Sequence, residues 1–308
     1  MSRQRGIALI TAVLVVAIAA ILALGMLNQG GAALERGASQ ARALDATLLG
    51  QGLEEWAILQ LKRDNELGEG VDSRSEPWAA GLPPLPVPGG RVRGLMVDLD
   101  GRFNLNTLVR KGQRDPVAYA RFSRLLAALK LEPALADAVL DWIDADNLPS
   151  PQGAEDLEYL RADPPYRAAN RPLSHVAELK RIRGITPEVY ARLAPEVAAL
   201  PEDAGFNINT ASVAGLMSLS DGISSDLAQR FWQGGQARYG SITEFYTEAQ
   251  AAGVLLEGPD AQDLKVSSNF FLAQADFEID GRSFRFSSLI QRSRGGGRVL
   301  QRGQGAFW

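Results

Sequence analysis

Met1-Ser2-Arg3-Gln4-Arg5-Gly6-Ile7-Ala8-Leu9-Ile10-Thr11-Ala12-Val13-Leu14-Val15-Val16 opens a stretch with no charged side chain from Gly6 until Glu35. The run from Ile7 to Asn28 makes roughly 33 Å of helix at about 1.5 Å per residue, against a bilayer hydrocarbon core of about 30 Å. It reads as a transmembrane helix. Arg3 and Arg5 on its short side, with no comparable apolar run elsewhere, predict a single pass: N-terminus cytoplasmic, remaining residues outside the cytoplasm.

Three readings compete for this stretch. A cleaved secretory signal needs small residues beyond the apolar run, which Ala19-Ala20-Ile21 or Ala23-Leu24-Gly25 supply weakly. A plain signal anchor needs nothing more than the charges and the helix. The third reading rests on Gly6, which lies before the apolar helix, so that a cut there removes the charges and leaves the helix on the mature chain. This resembles the type IV prepilin leader, which a dedicated prepilin peptidase cuts after the glycine, methylating the new N-terminus, here Ile7. Major pilins and pseudopilins carry Glu at the fifth mature residue, where this chain has Thr11. With that exception the chain resembles the large minor pseudopilin of type II secretion systems, the K subunit of the general secretion pathway.

Composition fits an exported body behind an anchor. The formal charge of −4 over 308 residues gives no general attraction to nucleic acid or anionic lipid. The absence of cysteine excludes disulfides and thiolate metal sites.

Beyond the apolar run, residues 29–62 continue a helix-forming series, with apolar residues at three- and four-residue spacings through Leu48, Leu49, Leu53, Trp56, Ala57 and Leu59. Gly30-Gly31, Gly37, Gly50 and Gly52 each weaken it by about 1 kcal/mol. This predicts a stem helix with one apolar stripe. Residues 65–90, with five prolines, read as loop. Val92 to Asp100 reads as a strand closed by Asp100-Gly101. At the far end, Leu264 to Ile279 and Arg282 to Arg292 flank Asp280-Gly281 as a hairpin, with a short last strand at Arg298-Val299-Leu300.

Helical patterns fill the middle: Tyr119 to Lys130, a segment from Pro133, another around Asn170 to Ile182, then Ala211 to Leu219, Ser225 to Trp232 and one from Ser241. Phe103-Asn104-Leu105-Asn106-Thr107 recurs as Phe206-Asn207-Ile208-Asn209-Thr210, and both copies read as capped helix starts. Strands on both sides of a helical middle predict an α+β fold: a stem helix on an antiparallel pilin-like sheet, with a large helical insertion. The expected division is leader 1–6, transmembrane helix 7–28, stem 29–62, sheet domain 63–104 with 261–308, and inserted helical domain 105–260.

The densest carboxylate stretch is Asp141-Trp142-Ile143-Asp144-Ala145-Asp146, returning after a loop at Gly153-Ala154-Glu155. Three readings stand beside each other: a solvated acidic loop with helix caps, a catalytic carboxylate pair, and a set of hard oxygen ligands for calcium. With His175 the single histidine, zinc is unsuited. The resemblance weighs for calcium, because Asp141, Asp144, Asp146, Gly153, Glu155 and Tyr159 look like the calcium-binding stretch of the K pseudopilin. Family members are described with two calcium ions, of which the sequence places one, on Asp141, Asp144, Asp146 and Glu155.

Turns such as Gly184-Ile185-Thr186-Pro187 resemble helix-hairpin-helix modules, and Arg171, Lys180, Arg181 and Arg183 lie near them. The acidic total and the anchor speak against nucleic acid. What the family implies is a structural subunit and not an enzyme. It caps the pseudopilus tip with the I and J minor pseudopilins, joins H and the major pseudopilin G through them, and helps initiate assembly for export across the outer membrane. The alternative is a membrane-anchored periplasmic hydrolase using Asp144, Asp146 and Glu155.

Overall fold

The computed structural model describes residues 37, 40, 44, 47–67, 70–256, 258–279 and 281–305. The chain forms two compact units, Met1–Gln51 and Gly52–Trp308. In the first, every described residue is helical. In the second, helix α1 (52–67) buries Leu53, Ala57 and Leu61, four residues apart and so stacked on one face. They pack with Trp78, Met96, Phe271, Ala273 and Ile290 on one side of a sheet. Gly94 lets the helix come close: a Cβ there would stand 2.2 Å from the Leu53 side chain.

That sheet has five strands in the order β1-β2-β9-β10-β11, antiparallel throughout. They are β1 (Leu82–Val87), β2 (Gly90–Asp98), β9 (Phe270–Ile279), β10 (Arg282–Ser293) and β11 (Gly296–Gln304). Strand β1 lies in the proline-rich stretch read as loop. Pro83, Pro84 and Pro86 lack an N–H for the ladder, yet β1 is an edge strand with one flank to pair, and its register breaks between Leu82 and Leu85, where Pro83 and Pro84 sit. The last strand is likewise longer than Arg298 to Leu300. The α+β architecture itself, a helix on an antiparallel sheet with a large helical insertion, is as the sequence predicts.

Neighbours β2 and β9 pair from Gly90↔Ile279 to Asp98↔Phe271, so the chain from 99 to 269 is inserted between adjacent strands. The insertion carries two separate apolar cores. One spans Phe103 to Ala199 and holds α2 (Pro116–Ala128), α3 (Leu135–Ile143), α4 (Asp156–Tyr159) and α5 (Pro187–Leu193). The other spans Phe206 to Leu264 and holds α6 (Val213–Met217), α7 (Ser225–Trp232) and α8 (Ile242–Ala251). Each is closed by a two-residue parallel bridge, β3 (Phe103–Asn104) with β6 (Val197–Ala198) and β7 (Phe206–Asn207) with β8 (Leu264–Lys265), and a short hairpin of β4 (Val109–Arg110) and β5 (Gln113–Arg114) precedes α2. Between the lobes, Ala198, Leu200 and Ala204 cover Leu272 and Leu289 on the sheet face opposite α1.

The two Phe-Asn-x-Asn-Thr boxes hold these closures. Asn104 accepts from the Asn106 and Leu200 amides and donates to Pro201 O; Asn106 exchanges bonds with Leu173 and donates to Leu200 O. In the second box Asn207 donates to Asp72 O and Ser268 Oγ, while Asn209 exchanges bonds with Tyr239. Only the first box starts a helical turn, the 3-10 segment Leu105–Leu108. The helix after the second box is capped by Ser212 instead. The boxes are long-range bolts, because their side chains satisfy buried backbone groups that would otherwise be costly.

The localisation expected from the sequence, a single inner-membrane pass with a periplasmic body, is corrected on the described residues. Among them no helix is long and apolar enough to cross a membrane. Helix α1 carries Glu54, Glu55, Lys62, Arg63, Asp64 and Glu66, charges that hydrocarbon does not accommodate cheaply. The run 7–28, the processing positions Gly6 and Ile7, and Thr11 lie outside the described residues.

Candidate metal centre

Helix α3 is buried along nearly its whole length, and its polar residues are therefore placed with purpose. Asp137 and Asp141 lie one turn apart, and Asp144 ends the helix with extended backbone at ψ 167°. Asp137 accepts from Tyr119 OH at 2.6 Å and from the Gln152 amide at 3.0 Å. Asp141 accepts from the Ser150 amide at 3.0 and 3.2 Å. Asp144 differs, since its Oδ1 is buried with no hydrogen-bond partner.

Past the helix end the chain turns through Asp146, whose Oδ1 accepts from the Leu148 amide at 2.8 Å, an Asx-type turn. A loop containing Pro149 and Pro151 brings it back to Glu155. That residue stands at the N-cap of α4 but caps nothing. It is 5% exposed, and both carboxylate oxygens lack a partner. Its neighbour Asp156 is fully engaged, by Arg167 at 3.1 Å and the Ala168 amide at 3.0 Å.

Carboxylate oxygens of Asp144, Asp146 and Glu155 lie within 4.8 Å of one another. Burial, followed by repulsion from Asp144, Asp141 and Asp146, pushes the Glu155 carboxyl up to about 7. Burial, then Asp146 and Asp141, pushes Asp144 up to about 6. Arginine, the usual compensation for such a group, goes elsewhere: Arg183 donates to Gly153 O at 3.0 Å and Arg167 to Asp156. Three converging carboxylates, two of them with orphaned buried oxygens, fit a hard cation that supplies the missing positive charge. Asp141, grouped with these ligands by the family resemblance, accepts from the loop backbone at Ser150.

A second acidic group, Asp64, Asp72 and Glu76, also has oxygens within 4.8 Å of one another. Here a guanidinium already fills the place of a cation. Arg292 donates to Asp64 at 2.8 Å and to Asp72, while Glu76 accepts from the Ser73 amide and Trp78 Nε1 at 3.0 and 2.8 Å. Burial still holds the Asp72 carboxyl up to about 7 against the pull of Arg292. The first group is thus the one whose charge is uncompensated.

The sequence pattern did not assign to the site three residues that shape it: Asp137, Tyr119 and Arg183. Tyr159 meets Trp142 edge-to-face and stacks on Tyr166, with centroids 5.1 and 5.3 Å away, and its OH accepts from the Arg183 amide. The basic residues near the Gly184 turn are used within the protein. Arg171 pairs with Glu178, Lys180 sits 4.5 Å from the Tyr190 ring centroid, and His175 caps its 3-10 turn through Nδ1.

Comparison with known proteins places this arrangement. Residues 101–202, the first helical lobe with the carboxylate group, match the family described as "Type II secretion system (T2SS), protein K". Type II secretion system protein K of Pseudomonas aeruginosa is 35% identical, covering 98% of this chain and 93% of its own length. The protein of that name from Pectobacterium carotovorum subsp. carotovorum is 30% identical, covering 99% and 98%. Among solved structures, a chain of the GspK-GspI-GspJ complex from the enterotoxigenic Escherichia coli Type 2 Secretion System superposes with a TM-score of 0.75 at 26% identity. It covers 88% of this chain and 99% of its own. With relatives at this identity matched over nearly their entire length, the chain belongs to the type II secretion system protein K family.

Proposed function

We propose that this chain takes the K position in a tip complex of the type II secretion pseudopilus, beside I-type and J-type minor pseudopilins. As a member of the protein K family it is a minor pseudopilin, a structural subunit and not an enzyme. The observation that carries the reading is the correspondence with GspK of the solved three-protein complex over 88% of the chain. A large insertion between neighbouring strands supports a single copy at the tip, because its two lobes obstruct a subunit stacked above. Through I and J the chain connects to H and the major pseudopilin G, and it helps initiate assembly for protein export across the outer membrane. Co-expression with I-type and J-type partners followed by affinity capture tests this: a stable ternary species supports it, and capture of neither partner contradicts it.

At the N-terminus, the reading is cleavage by prepilin peptidase after Gly6 and methylation of Ile7. Thr11 then replaces the glutamate that major subunits offer to a neighbour's terminal amine, which disfavours repeated addition. Intact-mass spectrometry with and without the peptidase decides it, since an unshortened chain in both samples removes the claim.

For the carboxylate group, the reading is one calcium ion in a structural role, held by Asp144, Asp146 and Glu155, with no second ion placed. Its support is the pair of unpartnered Glu155 oxygens beside Asp144 Oδ1. Melting that is the same in calcium and in chelator would remove it. A hydrolase built on the same residues has nothing further to support it.

A further inference from the structure

Asp141 sits one turn before the candidate ligand Asp144 and is fully buried, yet its oxygens are not among those that converge. Both face the Ser150 amide, at 3.2 and 3.0 Å. The carboxylate lies so close against the loop that a Cβ on Gly153 would stand 1.9 Å from Oδ2. One turn earlier Asp137 repeats the arrangement, taking the Gln152 amide on Oδ2 and Tyr119 OH on Oδ1. From the other side Arg183 Nη1 donates to Gly153 O at 3.0 Å, and the Gly153 amide closes a turn onto Ser150 O at 2.9 Å. Residues 150–153 are therefore held from outside at three points and closed by a turn of their own, and the next ligand in the chain, Glu155, follows two residues later with both oxygens bare.

We infer that Asp141 is a positioning residue of the cation site and not one of its ligands: with Asp137 and Arg183 it fixes the 150–153 loop so that Glu155 meets Asp144 and Asp146. The inference rests on the cation-binding reading above. Fixing the loop removes conformational freedom that ion binding would otherwise have to freeze, and outer partners of this kind commonly change metal affinity by about 10–100-fold.

Hydrogen-bond acceptance and ion ligation make different demands on residue 141. Asparagine keeps a side-chain oxygen for the Ser150 amide but carries no charge, whereas alanine supplies neither. The test uses the full chain, with terbium as a luminescent probe, calcium competition, and bound waters counted from luminescence lifetimes in H2O and D2O. Expected is D141N within about fivefold of the unaltered protein, the residual loss being remote charge, and D141A weaker by about 10–100-fold. In both, the water count at saturation stays that of the unaltered protein, while D144A gains a water. A D141N loss as deep as that of D144N, or an extra water in D141N, overturns the positioning role and leaves the cation reading intact. No terbium or calcium binding by the unaltered protein overturns both. Melting in chelator confirms that each variant is folded, and D141N carries the test if D141A is not.

Discussion

Arg302 on the edge strand β11 grips Glu54 on α1 with two parallel bonds, Nη2 to Oε1 at 2.7 Å and Nε to Oε2 at 2.9 Å. Ser288 on β10 adds a third bond to Oε2 at 2.7 Å. Glu54 is buried while Arg302 is half exposed, so the pair ties the stem helix to two strands without leaving a charge unmatched.

Replacing Glu54 with alanine is expected to lower stability by about 2 kcal/mol at pH 7, read by urea unfolding. Burial raises the Glu54 carboxyl, but the bonds from Arg302 and Ser288 outweigh it and the net direction is down. A depressed carboxylate contributes stability that is present above its unfolded value, about 4.3, and is lost as pH falls through the folded one. The difference between the two proteins therefore narrows in acid.

The carboxylate group gives the opposite slope. Asp144 and Glu155 are raised to about 6 and about 7 with no cation bound. Their contribution to the metal-free protein is fully present below the unfolded values, about 4, and is lost as pH rises through 6 to 7. Calcium should restore it, so the melting gain from calcium grows between pH 5 and pH 7.5. At a calcium concentration about 100 times Kd it is worth about 2.7 kcal/mol. Glu155→Gln should melt higher than the unaltered protein in chelator at pH 7.5 and gain nothing from calcium. A calcium gain that is flat or falls with pH counts against the site.

Glycine positions separate the loop from the stem. Gly153→Ala drives a methyl into Asp141 and is expected to weaken calcium binding by about tenfold. Gly52→Ala, a helical position with nothing within 4 Å of the new methyl, should raise stability by up to about 1 kcal/mol. Calcium titration and thermal melting of the two variants check both signs.

Asn207 is fully buried and ties the second lobe to the segments flanking the sheet through Asp72 O and Ser268 Oγ, while its Oδ1 accepts from the Asn209 amide within its own box. Alanine there leaves several buried groups unmatched and should cost about 3 kcal/mol. Aspartate should cost more, because it faces Asp98, already held by Ser268 and Thr210. Stabilities of Asn207→Ala and Asn207→Asp, compared in one buffer, test that order.

What local pattern encodes was legible in the sequence. Imperfect alternation marked β2, the Asp280-Gly281 turn signal marked β9 and β10, and Ser225 to Trp232 emerges as α7 behind its Ser224 cap. Strand β1 was hidden because its prolines signal loop unless the strand is known to be an edge. The asparagine boxes read as helix starts because their partners lie far along the chain, 135 residues away for Asn207 and Asp72. The family resemblance set Asp141 beside Asp144 as a ligand, and a sequence pattern does not distinguish a carboxylate that receives an amide from one left bare. Likewise the cancellation of Asp64 and Asp72 by Arg292 depends on a strand more than 200 residues away in sequence.

The most direct test of the account is assembly. The full chain, co-expressed with the I-type and J-type minor pseudopilins of its own secretion system, is purified through a tag on the I-type subunit and weighed by native mass spectrometry. A species with one copy of each protein is the predicted result. Recovery of an I–J pair without this chain, or of this chain as repeating copies, would contradict its place as a single subunit at the tip.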